Sequence, residues 1–524
     1  MANRRGVENI IEASSGIVAV CRNSLRSHVS WTTSWSFRVC RPRRQGLTHR
    51  SGMNRQPSRQ PIEWTNALRP CRSGRTVSLM ADRSIGEEHR CDECGADVDV
   101  PLPDRLIEDT HAGKVLLFVG SGASTEAHNV LGHTFYDEIR SELGDGDDEM
   151  PFPDLMSAFV SRFSRADLLT AFVRRLRYID SHPFFHRRAT RFHRAVGQIP
   201  FFSEIVTTNW DDYFETQTGA IPLVQGSDFD YWDLQQRKVL KVHGSVLNPG
   251  SVVATRDEYD RSLDALRSGA LGTAARHLMT THSVVFVGYS LRDDDIKQVI
   301  EALRDDLNTA ARPTYFVHPN PTFVAPLPGA EVIHTSAAYF VELLDRALVE
   351  AGCLVPLSIY DRAWVIDQRL RLARTRVDEN LPPWRFPLAI FNHAYQDGLA
   401  NAIDHTAAAR RTGDDRRHHY LLQRAAGYNK VRRLAMKARD YWNAAYIQGY
   451  EVGLLALGAP ELPLRDLPLY YCPGIGAETS FKRLTQAIRG GLTSHQGAYQ
   501  WAVRETRELP EGVYFNHPPL LPDY

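Results

Sequence analysis

The chain has 524 residues, 43% of them hydrophobic and 24% charged, and its 62 Lys and Arg balance 62 Asp and Glu. This composition is typical of a soluble globular protein with room for two or three domains. The zero net charge gives no global argument for nucleic acid or a membrane as partner. No uncharged apolar run approaches the roughly 18 residues of a membrane span, and seven cysteines in so long a chain favour a reducing cytoplasm.

Residues 1–79 differ from the rest of the chain, because they contain fourteen Arg, no Lys and three acidic residues. Three interpretations are open: a disordered basic arm that contacts nucleic acid, an Arg-rich transit peptide, or upstream sequence translated before a true start at Met80. We favour the third, since the composition changes abruptly at Met80. No function is assigned to this segment.

Residues 80–101 form a predicted flexible lead-in that contains a C-x-x-C pair, Cys91 and Cys94. A structural zinc site needs four ligands, usually from two such pairs, and the chain has no second pair. The nearest additional ligands are His89 and His111. Two thiols in a flexible segment are therefore favoured over a metal site.

The first predicted strand is the apolar run 114–119, and the glycine turn Gly120-Ser121-Gly122-Ala123-Ser124 follows it. Apolar spacing then predicts a helix over 123–143. Backbone N–H groups between a strand and a helix N-terminus can bind a diphosphate, although many such turns use glycine for packing alone. The third glycine of the dehydrogenase fingerprint is missing, and no ribose-binding carboxylate ends a second strand. A hydride-transferring dehydrogenase is therefore disfavoured.

Further periodicity predicts an α/β fold, a Rossmann-like parallel sheet with helices on both faces and a small helical insertion at about 150–200. The remaining strands are predicted at 205–208, 239–242, 283–287, 313–317 and 332–334, with a helix at 293–308. Beyond about residue 355, long amphipathic segments predict a mainly α-helical C-terminal domain, 356–524, with an irregular Pro-rich tail. Its dense aromatic residues are expected to form a core.

Polar residues follow three more predicted strands, at 207–211, 242–245 and 287–290. Ligands bind outside the carboxyl ends of the strands in open α/β sheets, so these segments and the glycine turn predict one pocket. Asn209 or Asp211 could instead cap a helix, and an isolated His243 could be a packed residue. Their common position at one sheet edge favours ligand contact, with His243 as a proton acceptor.

Together these motifs resemble the sirtuin-like NAD-hydrolase domains of bacterial anti-phage defence proteins. The glycine turn is similar to the Gly-Ala-Gly signature of sirtuins, Thr208-Asn209-Trp210-Asp211 to their Thr-x-Asn-x-Asp segment, and His243-Gly244 to their catalytic His-Gly. The stretch 288–296 resembles the Gly-Tyr-Ser-Leu-x-Asp segment of the defence branch. The resemblance covers about residues 102–350.

This resemblance implies an NAD glycohydrolase that releases nicotinamide and ADP-ribose, the latter linear or cyclised. Asn209 would orient the attacking water or hold the ribose, His243 would accept a proton, and Asp211 would position the nicotinamide end or Asn209. NAD would further contact the glycine turn (Gly120, Ser121, Gly122, Ala123 and Ser124, with the pyrophosphate at Ser121, Gly122 and Ala123). The other implied NAD contacts are Thr208, Gly244, Gly288, Tyr289, Ser290 and His318.

One departure from sirtuins concerns the acceptor. Sirtuins carry two C-x-x-C pairs as a zinc module after the His-Gly, whereas residues 246–287 contain no cysteine here. The Phe-Gly-Glu segment that pairs with an acyl-lysine peptide is replaced by 246–250. The resemblance therefore implies water as the acceptor and no zinc in this domain, and a protein deacylase or ADP-ribosyltransferase is disfavoured.

Two functions remain in competition at this stage. The first is an enzyme that depletes NAD on infection; the second is a nucleotide-binding sensor without turnover. The presence of both Asn209 and His243 favours the enzyme. From what the resembled family does, residues 356–524 are expected to serve homo-oligomerisation, sensing of a phage-derived trigger or docking to an ATPase.

Overall fold

The structure is a computed structural model, and it describes residues 97–127, 129–144, 150–289, 298, 300, 312–459, 461–491, 495–513 and 516–520. Several sequence predictions lie outside these residues: the interpretations of 1–79, the Cys91–Cys94 pair, the contact assigned to Ser290, and the helix at 293–308 apart from residues 298 and 300, which are helical.

A seven-stranded parallel sheet forms the centre of the first half of the chain, as predicted. The strands are β1 Val115–Val119, β2 Glu204–Thr207, β3 Ile221–Leu223, β4 Lys238–Lys241, β5 Ser283–Val287, β6 Thr314–Val317 and β7 Glu331–Ile333. Their order in the sheet is β3-β4-β2-β1-β5-β6-β7. Because β1 lies between β2 and β5, the chain reverses direction across the sheet at β1, which is where such folds bind ligands.

Helices cover both faces of the sheet. Every residue of β1 is buried, and alternate side chains point to opposite faces. Leu117 and Val119 pack in one core cluster, and Leu116 and Phe118 pack in another. The helices of this half are α1 Asp104–His111, α2 Phe135–Leu143, α3 Phe152–Arg162, α4 Arg165–Ser181, α5 Pro183–Ala189, α6 Arg191–Gly197, α7 Tyr213–Thr218, α8 Arg256–Ser268, α9 Ala270–Thr281 and α10 Ala337–Glu350.

The predicted helix over 123–143 is wrong in its first half. A short 3-10 turn, Ser121–Ala123, follows β1, and α2 begins only at Phe135. Thr134 caps α2 in a reciprocal capping box with Asp137, which fixes the start of the helix there. The buried Arg175 binds Glu126, whose other carboxylate oxygen accepts from the N–H of Phe135 at 2.8 Å, so the intervening segment is held in a non-helical course.

Helices α2 to α5 form the helical insertion at the carboxyl edge of the sheet. Its core includes Trp210 and Val252, which belong to the segments after β2 and β4. The Trp210 ring lies 5.0 Å from Phe172 and 6.3 Å from Phe135 between ring centroids. The insertion therefore packs directly on the strand-end segments that carry the predicted site.

The C-terminal half is largely helical, as predicted, with one unpredicted antiparallel pair of strands, β8 Tyr470–Cys472 and β9 Gly476–Glu478. Its aromatic residues Tyr446 and Tyr450 lie in the core, also as expected. A Cβ atom on Gly398 would lie 1.9 Å from the carbonyl oxygen of Tyr446, so two helices cross here with their backbones in contact. The helices are α11 Ser358–Asn380, α12 Ala389–Ala408, α13 His418–Lys437, α14 Tyr441–Gly458, α15 Phe481–Arg489 and α16 Gln496–Thr506.

Candidate active site

The predicted site residues follow adjacent strands that end at one level. The parallel register places Val119 opposite both Thr207 and Val287, and Thr207 opposite Lys241. The segments after β1, β2, β4 and β5 therefore meet at the carboxyl edge of the sheet, which is where the sequence placed its pocket.

The glycine turn after β1 packs against the turn after β5. The N–H of Gly122 donates to the carbonyl oxygen of Gly288 at 2.9 Å, and a Cβ atom on Gly120 or Gly122 would lie 2.7 Å from that same oxygen. Gly288 has φ +76°, and a Cβ atom there would lie 2.4 Å from the nitrogen of Ala123. These glycines are required by the close approach of two backbones, as in the packing interpretation of the motif.

The turn offers fewer groups to a diphosphate than the sequence suggested. The described residues directly after these glycines form a three-residue 3-10 turn, Ser121–Ala123, and not the start of an α-helix. The N–H of Gly122 donates to the carbonyl oxygen of Gly288, and the N–H of Ala123 donates to that of Gly120. A pyrophosphate cradle formed by Ser121, Gly122 and Ala123 stays a prediction.

Asn209 is 5% exposed, and its side chain is held in one orientation. Its Nδ2 donates to the carbonyl oxygen of Gly120 at 3.2 Å, and its backbone N–H donates to Thr207 Oγ1 at 3.0 Å. Its Oδ1 is buried and has no hydrogen-bond partner among the described residues. A buried unpaired acceptor costs about 1–3 kcal/mol, so this oxygen fits the role of a binding group for a ligand donor.

Asp211 is buried, and both of its carboxylate oxygens have partners. Ser124 Oγ donates to Oδ2 at 2.7 Å, and the N–H of Tyr213, the first residue of α7, donates to Oδ1 at 3.2 Å. The capping interpretation is wrong in detail, because the N-cap of α7 is Asp212, which makes no side-chain capping bond, and Asp211 precedes the cap. Ser124 thus acts on the carboxylate of Asp211, and Thr208 continues the backbone pairing through its N–H to Val119.

His243 lies two residues after β4 and is 5% exposed. Burial lowers the pKa of its imidazole to about 4, so the ring is neutral at pH 7 and able to accept a proton. The ring packs edge-on against Tyr259, with centroids 4.8 Å apart. Gly244 has φ +80°, and a Cβ atom there would lie 2.1 Å from the carbonyl oxygen of Ser251, so only glycine fits after the histidine.

Of two other predicted residues, Tyr289 lies beside the glycine turn, since a Cβ atom on Gly120 would lie 2.8 Å from its ring. The ring packs in the core, 5.8 Å from Phe118 between centroids. His318 follows β6, two strands away from β1, and stacks on Phe323 at 4.2 Å. Its Nδ1 accepts from the N–H of Asn320, and burial lowers the pKa of its ring.

Sequence reasoning missed a charged group beneath the site. Lys241, the last residue of β4, is 1% exposed, and its ammonium binds the main chain of Asp211 and the carboxylate of Glu215. No local pattern marks it, because β4 has a lysine at each end and only its two central residues are apolar. Over the described ranges, no three His, Cys, Asp or Glu side chains are grouped so that they could hold a metal ion.

The family comparison agrees with this geometry. Residues 203–343 match the family model of the SIR2-like domain, a stretch that includes Asn209, Asp211, His243, Gly288 and His318. The glycine turn after β1 lies before the matched stretch. A search of curated proteins found no match. Within the part of the chain that is described, no helix is both long and apolar enough to cross a membrane. The matched stretch and the parallel sheet lead to one conclusion: this chain contains a sirtuin-like domain, the kind of domain that binds NAD.

Proposed function

We propose that this protein is an NAD glycohydrolase, which cleaves the nicotinamide–ribose bond and releases nicotinamide and ADP-ribose in linear or cyclised form. The observation that carries the proposal is the unpaired Oδ1 of Asn209, buried at the carboxyl end of β2. A neutral His243 at the end of the neighbouring strand β4 supports it. Both residues lie within the stretch matched to the SIR2-like domain.

The geometry suggests a division of roles between these side chains. The bond from Asn209 Nδ2 to Gly120 restrains the amide and leaves Oδ1 as an acceptor for water or a ribose hydroxyl. His243 accepts the proton that this oxygen nucleophile or hydroxyl loses. The Asp211 carboxylate, fixed by Ser124 and Tyr213, positions the nicotinamide end of the substrate or Asn209.

The proposed biological role is abortive infection in anti-phage defence, with the reaction in the cytoplasm. An enzyme that destroys NAD has to be silent until it is triggered. We assign this control to the helical half, 356–524, through homo-oligomerisation, a phage-derived trigger or a partner ATPase. The resemblance to defence proteins supports this role.

The test is NAD loss with chromatography of the products, for wild type, Asn209→Ala and His243→Ala. It should be run on purified protein and in induced cells, because an enzyme that is silent until it is triggered cleaves NAD only where its trigger is present. Asn380→Ala and His277→Ala are matched controls, since both residues are exposed and lie on helices away from the strand ends. We expect NAD loss and ADP-ribose with wild type and both controls, and a loss of at least about 100-fold in rate with the two site variants.

Other outcomes point elsewhere. If NAD binds to wild type but stays intact in both settings, Asn209 and His243 are recognition residues and the protein is a nucleotide sensor. If NAD neither binds nor falls, the proposed function is wrong.

A further inference from the structure

Lys241 connects two segments of the proposed site. Its Nζ donates to the main-chain carbonyl oxygen of Asp211 and lies 3.0 Å from Glu215 Oε1. The lysine itself lies on β4, two residues before His243. A single ammonium therefore links the strand that leads to His243, the segment that contains Asn209 and Asp211, and helix α7, on which Glu215 lies.

A buried ammonium in this place needs an explanation. Desolvation of a cation is costly, and apolar residues of similar volume usually replace a buried ion pair without loss of stability. The adjoining strand residues Val239, Leu240 and Val242 are all buried and apolar. An apolar side chain at position 241 would therefore suit the fold, and the lysine indicates a requirement for its hydrogen bonds.

The surroundings of Lys241 are rich in ionisable groups. Burial raises the pKa of the Glu215 carboxyl, and Lys241 opposes this shift. Burial also raises the pKa of Asp212 on the same loop. The fully buried His193 ring lies close enough for Lys241 and Asp211 to have opposing effects on its pKa, which burial lowers to about 4. The Lys241 ammonium is thus a cation close to several carboxylates at the proposed site.

We propose that Lys241 is a positioning residue of the NAD-cleaving site: it fixes the segment 208–212 against β4 and so holds Asn209 in register with His243. The inference rests on the proposed function. The main-chain contact restrains the backbone of Asp211 from below, while Ser124 and the N–H of Tyr213 restrain its carboxylate. Asn209, two residues earlier on the same segment, then has little freedom to move relative to the histidine.

The two contacts of Lys241 can be separated by substitution. Glu215→Gln keeps the ammonium and its bond to Asp211 but removes the ion pair. Lys241→Met with Glu215→Leu removes the bond to Asp211 without leaving an unpaired buried charge. Lys241→Gln with Glu215→Gln replaces the ion pair by two neutral amides, and the side chain at position 241 is then too short to reach the carbonyl oxygen of Asp211. This second double variant is used if the first one does not fold.

The experiment compares the full-length chains in three measurements: kcat and KM for NAD, the thermal midpoint, and hydrogen exchange of peptides covering 207–213. For either double variant we expect a folded protein whose kcat is about 10- to 100-fold lower, with KM within about threefold of wild type and faster exchange in that segment. Glu215→Gln should keep kcat within about threefold of wild type, and hydrogen exchange in that segment should stay slow, although the thermal midpoint falls.

A folded double variant with wild-type kcat and slow exchange over 207–213 would overturn the inference, since Lys241 would then contribute to stability alone. Failure of the proposed function has a different signature, because wild type itself would leave NAD intact both as purified protein and in induced cells. Hydrogen exchange would still decide whether Lys241 restrains the segment, so the two failures are distinguishable.

Discussion

The side-chain amide of Asn209 has two different environments at its two ends. Nδ2 donates to Gly120, and Oδ1 has no partner in the described part of the chain. Asn209→Asp should therefore be more harmful than Asn209→Ala, because a carboxylate oxygen would face the carbonyl oxygen of Gly120. We expect a loss of about 1–3 kcal/mol in the free energy of unfolding, measured with urea, together with loss of NAD cleavage. Equal stability of the two variants would contradict the assigned orientation of the amide.

Because the protein buries neutral histidines, we expect its free energy of unfolding to fall in acid. Burial lowers the pKa of His193 and His243 to about 4 and that of His393 to about 3. The unfolded chain, with histidine pKa values near 6.5, binds more protons below that pH. The contribution of each neutral histidine is thus complete above about pH 6.5 and is lost as the pH falls toward 4, by roughly 2 kcal/mol per residue at pH 5.

The measurement is urea unfolding at intervals from pH 7.5 to 4.5. His193→Phe should flatten the profile, because His193 lies among Tyr213 and Phe214 and a phenyl ring suits the same packing. The exposed His277→Gln is the control and should leave the profile unchanged. A profile that is equally steep in His193→Phe would show that His193 is not one of the groups that titrate on unfolding.

At the residue scale, the sequence identified the groups that follow strands but not their supports. Asn209, Asp211 and His243 are polar residues directly after apolar runs, and that position alone places them at the sheet edge. Lys241 gives no such signal, because its partner Glu215 lies 26 residues earlier in the chain. A tertiary ion pair of this kind follows from the packing of α7 on β4, which periodicity does not describe.

At the scale of elements, the turns after β1 and β5 depend on Gly288. Its φ is +76°, and a Cβ atom would lie 2.4 Å from the nitrogen of Ala123. Gly288→Ala should cost at least about 2 kcal/mol in unfolding free energy and reduce NAD cleavage, because the two turns must separate. Gly329→Ala is the matched control: its φ is also +76°, but nothing lies within 4 Å, so it should cost about 1 kcal/mol. Similar losses in both variants would mean that the close approach of the turns contributes nothing.

The elements that the sequence predicted are those with strong periodicity or long apolar runs. Strands β1, β2, β4, β5, β6 and β7 lie where they were expected, but the edge strand β3 was missed, because its central residue is Pro222, a residue that argues against a strand. The start of α2 was misplaced by twelve positions, from 123 to 135. Apolar spacing continued through 124–134, while the course of that segment is set by Arg175, which lies 49 residues beyond Glu126.

At the scale of the whole molecule, the helical half binds the peptide that leads into β2. Arg416 Nη1 donates to the carbonyl oxygen of Gln198 at 2.9 Å, and Arg417 Nη2 donates to that of Pro200 at 2.9 Å. A Cβ atom on Gly197 would lie 2.8 Å from the carbonyl oxygen of Arg411 and 3.4 Å from that of Gln217 on α7. The helical half therefore contacts the approach to β2 at Gly197, Gln198 and Pro200, and Gly197 in turn lies against α7, the helix that follows Asp211. These contacts form a structural route from the helical half to the proposed site.

Arg416 is the central residue of this contact, and its guanidinium is fully buried between the two halves. It binds the Asp345 carboxylate on α10 through Nη1 and Nη2, and its Nε donates to the carbonyl oxygen of Val355 at 3.0 Å. Arg416→Met would leave the Asp345 carboxylate buried and without its cation, which should cost about 3–5 kcal/mol. Adding Asp345→Leu should recover most of this loss, because no charge then remains unpaired. Arg346→Met is the control, since its pair with Asp99 is exposed and should contribute at most about 1 kcal/mol.

Urea unfolding of these variants measures how much Arg416 stabilises the junction of the two halves. NAD cleavage by the same variants measures whether Arg416 affects the control of the proposed site. In the Arg416→Met/Asp345→Leu protein we expect the two apolar side chains to keep the halves in contact, but the bond from Arg416 to the carbonyl oxygen of Gln198 is lost. If this junction transmits the state of the helical half, cleavage in induced cells should lose its dependence on the trigger although the protein is folded. If the double variant recovers its stability and its NAD cleavage still depends on the trigger, Arg416 only holds the two halves together. The route of control would then have to pass through Gly197 and α7.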